Sequence, residues 1–118
     1  AIKDRSIVGP PTAFEGMSRK DVIPVRGNPL FVDLIPGFLQ NRRQDVIAML
    51  DALTRREFET VGRLGHGMKG AGGNYGFQAI TDIGAALEQA AESADTDASR
   101  KWVGELSRYL DRVEIVSD

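Results

Sequence analysis

From Leu30 onward the apolar positions recur at the spacing of one helical face. Leu30, Phe31, Leu34, Phe38 and Leu39 are followed by Val46, Ile47, Met49, Leu50 and Leu53, the i, i+3, i+4 recurrence of an amphipathic helix. Pro36-Gly37 breaks into this run. It predicts a kink, or a helix restarting with Pro in its first turn, where the missing N–H has no intrahelical partner to lose. Thr54, with Glu57 three residues on, reads as the N-cap and capping box of a second helix. That helix carries Phe58, Val61, Leu64, Gly65, Met68, Ala71, Gly72 and Tyr75 on one face, and Gly76 reads as its stop. A third helix carries Phe77, Ile80, Ile83, Gly84, Leu87, Ala90 and Ala91. Ser93-Ala94-Asp95-Thr96-Asp97 is a loop rich in capping residues. The fourth helix carries Trp102, Val103, Leu106, Tyr109, Leu110 and Val113. No useful length alternates at period two, so no sheet is predicted. Four amphipathic helices with short connections predict an all-α fold, an antiparallel up-and-down four-helix bundle over residues 30–118. Residues 1–29 contain Pro10, Pro11, Pro24 and Pro29 as well as Gly9, Gly16 and Gly27. This punctuation predicts an irregular N-terminal extension or linker, with a short helix at Thr12–Lys20 and an extended Val22–Val25.

Composition narrows the chemistry. A chain of 118 residues fits one domain with a real core. The net charge of -2 supplies no basic field for nucleic acid. There is no Cys and one His, which removes disulfides, thiol catalysis, Cys-based zinc sites and any pair of His ligands. No apolar run approaches a membrane span and no signal peptide is visible, so no membrane contact and a cytoplasmic location are expected. Opening on Ala1 rather than Met, the chain is expected to be a piece of a longer one.

The unusual segment is Gly62 to Gly76, which holds seven of the 13 glycines. A helical Gly costs up to about 1 kcal/mol relative to Ala, so the run calls for close approach by something. Gly65-His66-Gly67-Met68-Lys69-Gly70 fits the G-x-G-x-x-G dinucleotide pattern. That pattern needs a preceding strand, and Arg55 to Val61 reads as helix. At roughly 100° per residue, His66 falls about 150° from the middle of the apolar sector. It therefore faces solvent, among Glu59, Gly62, Arg63, Lys69, Gly70 and Gly73. An imidazole in water is in large part neutral, and so nucleophilic, at neutral pH. A phosphoryl group on the ring adds negative charge that Lys69, one turn along, can screen. Low glycine ground lets a partner close over the ring. Gly65 and Gly72 point inward and are explained by close helix packing. Arg42-Arg43 reads as a solvated face.

At these residues the chain resembles the histidine-containing phosphotransfer (HPt) family, whose pattern is His, two variable residues, Lys-Gly, five variable residues and Gly. Here it reads His66, Gly67-Met68, Lys69-Gly70, Ala71-Gly72-Gly73-Asn74-Tyr75 and Gly76, followed by Phe77. The resemblance covers about residues 30 to 116. It implies that His66 is the phosphorylated residue, Lys69 the phosphate-screening residue, Gly70 the gap beside the site and Gly76 the turn into the third helix. It also implies a phosphorelay module of two-component signal transduction that is not an enzyme in its own right. Receiver domains of response regulators and a histidine kinase, in the same polypeptide or another, are the implied partners. The surface of Gly62, Arg63, Gly70 and Gly73 is expected to dock them. No cofactor or metal is expected in this domain, and Mg2+ is expected in the partner receiver. The phosphoacceptor domain of a chemotaxis-type kinase shares the bundle and the motif. From a different class, a four-helix interaction or dimerisation module with an incidental His is the alternative, and a nucleotide-binding enzyme comes last.

Overall fold

The computed structural model describes residues 22–115; the short helix expected at Thr12–Lys20 lies outside them. The chain enters as a strand, β1 (Ile23–Val25), followed by a 3-10 helix at Pro29–Leu34. Four α-helices follow: α1 (Ile35–Thr54), α2 (Phe58–Tyr75), α3 (Gln78–Glu92) and α4 (Thr96–Arg112), then a strand, β2 (Val113–Ile115).

Local chemistry sets these boundaries. Asn28 caps the 3-10 helix by accepting from the Leu30 N–H at 3.0 Å, and Pro29 opens it. Pro36 sits in the first turn of α1, as the interrupted pattern predicts. Thr54 caps nothing downstream: it is the last residue of α1, and its hydroxyl donates to the Asp51 carbonyl at 2.6 Å. Glu57 occupies the N-cap position of α2 without a side-chain capping bond. The capping box fails because the chain needs Arg55 and Arg56 to reverse, with Arg56 at φ 57 in the left-handed region. Gly76 ends α2 at φ 96, a conformation that suits glycine alone. Asp95 caps α4 by accepting from the Ala98 N–H at 2.9 Å.

Short connections fold each helix back on the last, and the contacts run α1–α2, α2–α3, α3–α4 and α4–α1, closing a four-helix bundle. Its core is built from Met49, Leu53, Val61, Met68, Phe77, Ile80, Leu87, Val103 and Leu106, all 2% exposed or less. Apolar periodicity overstates the core at the bundle's outer edge. Leu30, Val32 and Leu34 of the 3-10 helix are exposed, as are Ile47 and Leu50 of α1. Arg42 is not the solvated residue its sequence suggests. Its guanidinium lies over the Phe38 ring at 4.9 Å and pairs with Asp45 at 2.8 Å, both side chains mostly buried. That burial is the main influence on the Asp45 carboxyl and raises it above its ordinary range, against the opposing pull of Arg42 and Arg63.

The absence of a sheet needs correction. β1 and β2 pair in parallel, Ile23 with Val113 and Val25 with Ile115, so Val113 belongs to a strand and not to the last turn of α4. Ile23 and Val25 pack on the core. Beyond β1, Asn28 holds the end of α2: its side-chain amide donates to the Asn74 carbonyl at 2.8 Å and its backbone N–H to the Tyr75 carbonyl at 3.0 Å. These satisfy carbonyls that a helix end otherwise leaves without partners. Tyr75 in turn stacks on Phe38 with ring centroids 4.2 Å apart. The C-terminal end of α2 is thus fixed from two sides.

Candidate functional site

Helix α2 lies unusually close to α3. A Cβ on Gly84 would sit 2.6 Å from the Gly65 carbonyl oxygen, and one on Gly72 would sit 2.6 Å from the Thr81 nitrogen. Backbone therefore packs on backbone along this seam, which accounts for Gly65 and Gly72 as inward-facing residues. Thr81 reinforces it by accepting the Gly73 N–H on its hydroxyl at 2.7 Å.

The close seam brings a residue of α3 beside the imidazole. His66 projects from α2 with its side chain 69% exposed, and its Nδ1 lies 2.9 Å from Oε2 of Glu88. The other carboxylate oxygen, Oε1, lies 2.8 Å from Nζ of Lys69. One carboxylate thus bridges the ring and the ammonium. Hydrogen bonds from Lys69, and next from His66, hold the Glu88 carboxyl below its ordinary range. It is therefore ionised near neutral pH and can only accept. In a neutral imidazole the proton must then sit on Nδ1, and the Nε2 lone pair is left free of this contact.

The residues expected at the site divide between two sides of His66. Lys69 stands one turn along, tied to Glu88. Gly70 is open, with nothing within 4 Å of where a Cβ would be. Gly73 is exposed, with only Thr81 and Gln78 side-chain atoms in ordinary contact range. Gly62 and Arg63 lie on the opposite side, in a groove of about 430 Å³ between the first half of α2 and the second half of α3. Phe58, Gly62 and Ala91 give this groove its apolar ground. Glu59, Arg63 and Glu92 line it as well, and His66 and Glu88 close its near end. Glu88 and the groove are absent from the sequence reading. A helical hairpin turning at Gly76 places residues 10 before and 12 after the turn near one another, so the connection was in principle readable from the Gly76 stop.

Among the described residues, no group of three or more His, Asp or Glu side chains could hold a metal ion, and no helix is long and apolar enough to cross a membrane. No curated protein and no solved structure matches the chain. The family model for the Hpt domain matches residues 33–115, which spans all four helices and the His66–Glu88–Lys69 group. Over that span the chain belongs to the Hpt domain family, the phosphotransfer modules of two-component phosphorelays, whose partners are receiver domains and kinases.

Proposed function

We propose that His66 accepts a phosphoryl group on Nε2, from the phospho-aspartate of a receiver domain or from a kinase, and passes it to a receiver aspartate. The observation that carries this reading is the exposed ring whose Nδ1 is engaged by Glu88 and whose other nitrogen is free of that contact.

The chemistry follows from that arrangement. The Nε2 lone pair attacks phosphorus, a P–N bond forms, and the P–O bond to the donor aspartate breaks with its electrons leaving on the carboxylate. The Nδ1 proton stays in place, so no base is needed in this domain. The ring becomes cationic as the bond forms, and the Glu88 carboxylate, already hydrogen-bonded to Nδ1, offsets that charge. Glu88 acts as a positioning residue, fixing tautomer and ring orientation. Lys69, held at 2.8 Å from Glu88, is one helical turn from the ring and screens the phosphoryl oxygens. Return transfer reverses each step. Mg2+ and the groups that align the acyl phosphate belong to the receiver in this reading, and the module is a shuttle rather than an enzyme.

The test is incubation with a phosphorylated receiver domain. The wild-type protein is expected to gain acid-labile, base-stable phosphate, and His66→Gln to gain none while keeping its helical circular dichroism, since substitutions at such surface positions usually change stability by less than ~0.5 kcal/mol. Phosphate of that kind on the His66→Gln variant would place the acceptor elsewhere.

A further inference from the structure

The two cations nearest His66 on α2 stand in opposite conditions. The Nζ of Lys69 lies 2.8 Å from Oε1 of Glu88, whose other oxygen holds the ring, so its charge is in part offset before any phosphoryl group arrives. Arg63 is exposed and lines, with His66 and Gly62, the groove on the other side of the ring. Its guanidinium makes no ion pair or hydrogen bond among the described residues. Each charged neighbour leaves it so. Asp45 on α1 feels Arg63 least of the influences on it and pairs with Arg42 at 2.8 Å. Glu59, at i−4 on α2, and Glu92, across the groove on α3, are exposed carboxylates that line the same groove, and neither takes the guanidinium.

Helix geometry puts this guanidinium within reach of a group on the ring. Arg63 stands three residues before His66, and side chains so spaced are neighbours on a helix surface, with Cβ atoms about 5–6 Å apart. Side chains on a helix lean toward its N-terminus, so the His66 side chain leans over the turn that carries Gly62 and Arg63. Gly62 has no side chain to stand between them. A guanidinium offers its donors in a planar fork that suits phosphoryl oxygens two at a time.

We propose that Arg63 is a second phosphate-binding residue: when His66 is phosphorylated, its guanidinium donates to the phosphoryl oxygens and, with Lys69, brackets the group from both sides. The proposal rests on the reading of His66 as the acceptor. A phosphoryl group carries nearly two negative charges and three acceptor oxygens, against the single exposed charge of Glu59 or of Glu92, so it outcompetes either carboxylate for the guanidinium. Lys69 shares its charge with Glu88 and Arg63 does not, so Arg63 has the larger influence on the phosphoryl group of the free phosphoprotein.

The experiment labels the protein with phosphoramidate, whose P–N bond is broken by attack of Nε2 with loss of ammonia, so that no receiver is present. Phosphorus NMR then follows the titration of the phosphoryl group on His66. A cation that binds the dianion lowers the pH at which the last proton leaves. Arg63→Gln is therefore expected to raise that midpoint by about half a unit at low salt. Arg63→Lys keeps the charge and loses the fork, and should fall between Arg63→Gln and wild type. Lys69→Ala should raise the midpoint by less than Arg63→Gln does, and high salt should narrow every difference. Arg63 is exposed, so both of its variants are expected to keep the wild-type circular dichroism. A labelled protein whose midpoint is the same in wild type and Arg63→Gln at low salt overturns the proposal and leaves the acceptor in place. A larger rise in Lys69→Ala than in Arg63→Gln overturns it as well. Failure of phosphoramidate to label His66 in the wild-type protein overturns the assignment of the acceptor, and the proposal with it.

Discussion

The glycines of α2 and α3 fall into two kinds, and alanine substitution should separate them by sign. Gly67 and Gly70 have nothing within 4 Å of a new Cβ. Each sits inside a helix, where alanine is favoured over glycine by up to about 1 kcal/mol. Gly67→Ala and Gly70→Ala should each stabilise the fold, raising Tm by roughly 4–8 °C for a unit of this size. Gly84 is the opposite case. Its Cβ would lie 2.6 Å from both the Gly65 oxygen and the Lys69 nitrogen. Ordinary contact near 3.4 Å requires the helices to part by roughly 0.8 Å. Overpacking costs about 1–3 kcal/mol, and here neither colliding atom belongs to a side chain that can rotate away. Even after the gain in helix propensity, Gly84→Ala should destabilise by up to about 2 kcal/mol and lower Tm by up to roughly 15 °C, where Gly67→Ala and Gly70→Ala raise it. The displacement also reaches the site, since Gly84 lies one turn before Glu88 and Gly65 precedes His66. Thermal melts followed by circular dichroism read all three variants against wild type. A Gly84→Ala protein as stable as Gly67→Ala would refute the close backbone seam and the account of the glycine run built on it.

Lys69→Ala should slow transfer from a phosphorylated receiver a few-fold at low salt, with a smaller effect at high salt; an equal rate at low salt would remove Lys69 from the mechanism. Gly70→Leu and Gly73→Leu should stay folded yet exchange phosphate more slowly with the receiver, because their side chains would occupy open ground beside His66; wild-type rates in both would show that this side of the ring is not approached. Glu88 should titrate below the ordinary value of 4.5, observed by NMR at its carboxyl carbon. Its depressed value means that the contribution of the His66–Glu88–Lys69 group to stability is present above that ordinary value and lost as pH falls through the folded one. Because the Lys69 hydrogen bond is the largest influence, Lys69→Ala should move the midpoint back toward 4.5, and an unmoved midpoint would contradict the bridge.

The four helices were readable because each buries a stripe at the helical period, and the end of α2 because only glycine sits easily at the φ of Gly76. The outward direction of His66 followed from the same geometry. What escaped was set by contacts between distant segments. β1 and β2 are three residues each and pair across nearly the whole chain, too short for alternation to register. Thr54 has the chemistry of a cap but lies one turn too early, because the reversal at Arg55 and Arg56 was invisible. The exposed Leu30 and Ile47 carry the same periodic signal as buried neighbours, since periodicity does not report whether anything covers the stripe. Glu88 was missed for a different reason: a glutamate on a helix surface has no distinguishing pattern until the opposing helix is placed beside it.

The parallel pairing of β1 with β2 has a mechanical consequence. In a parallel pair the chain enters at one end of the ladder and leaves at the other. Opposed pulling at Val22 and Ile115 therefore loads the hydrogen bonds between Ile23–Val25 and Val113–Ile115 together, in shear, rather than opening them one after another as in a zipper. Tension carried along the polypeptide from either side would be borne first by this short splice. The seam between α2 and α3, and with it the spacing of His66 and Glu88, would feel that load only after the splice had parted.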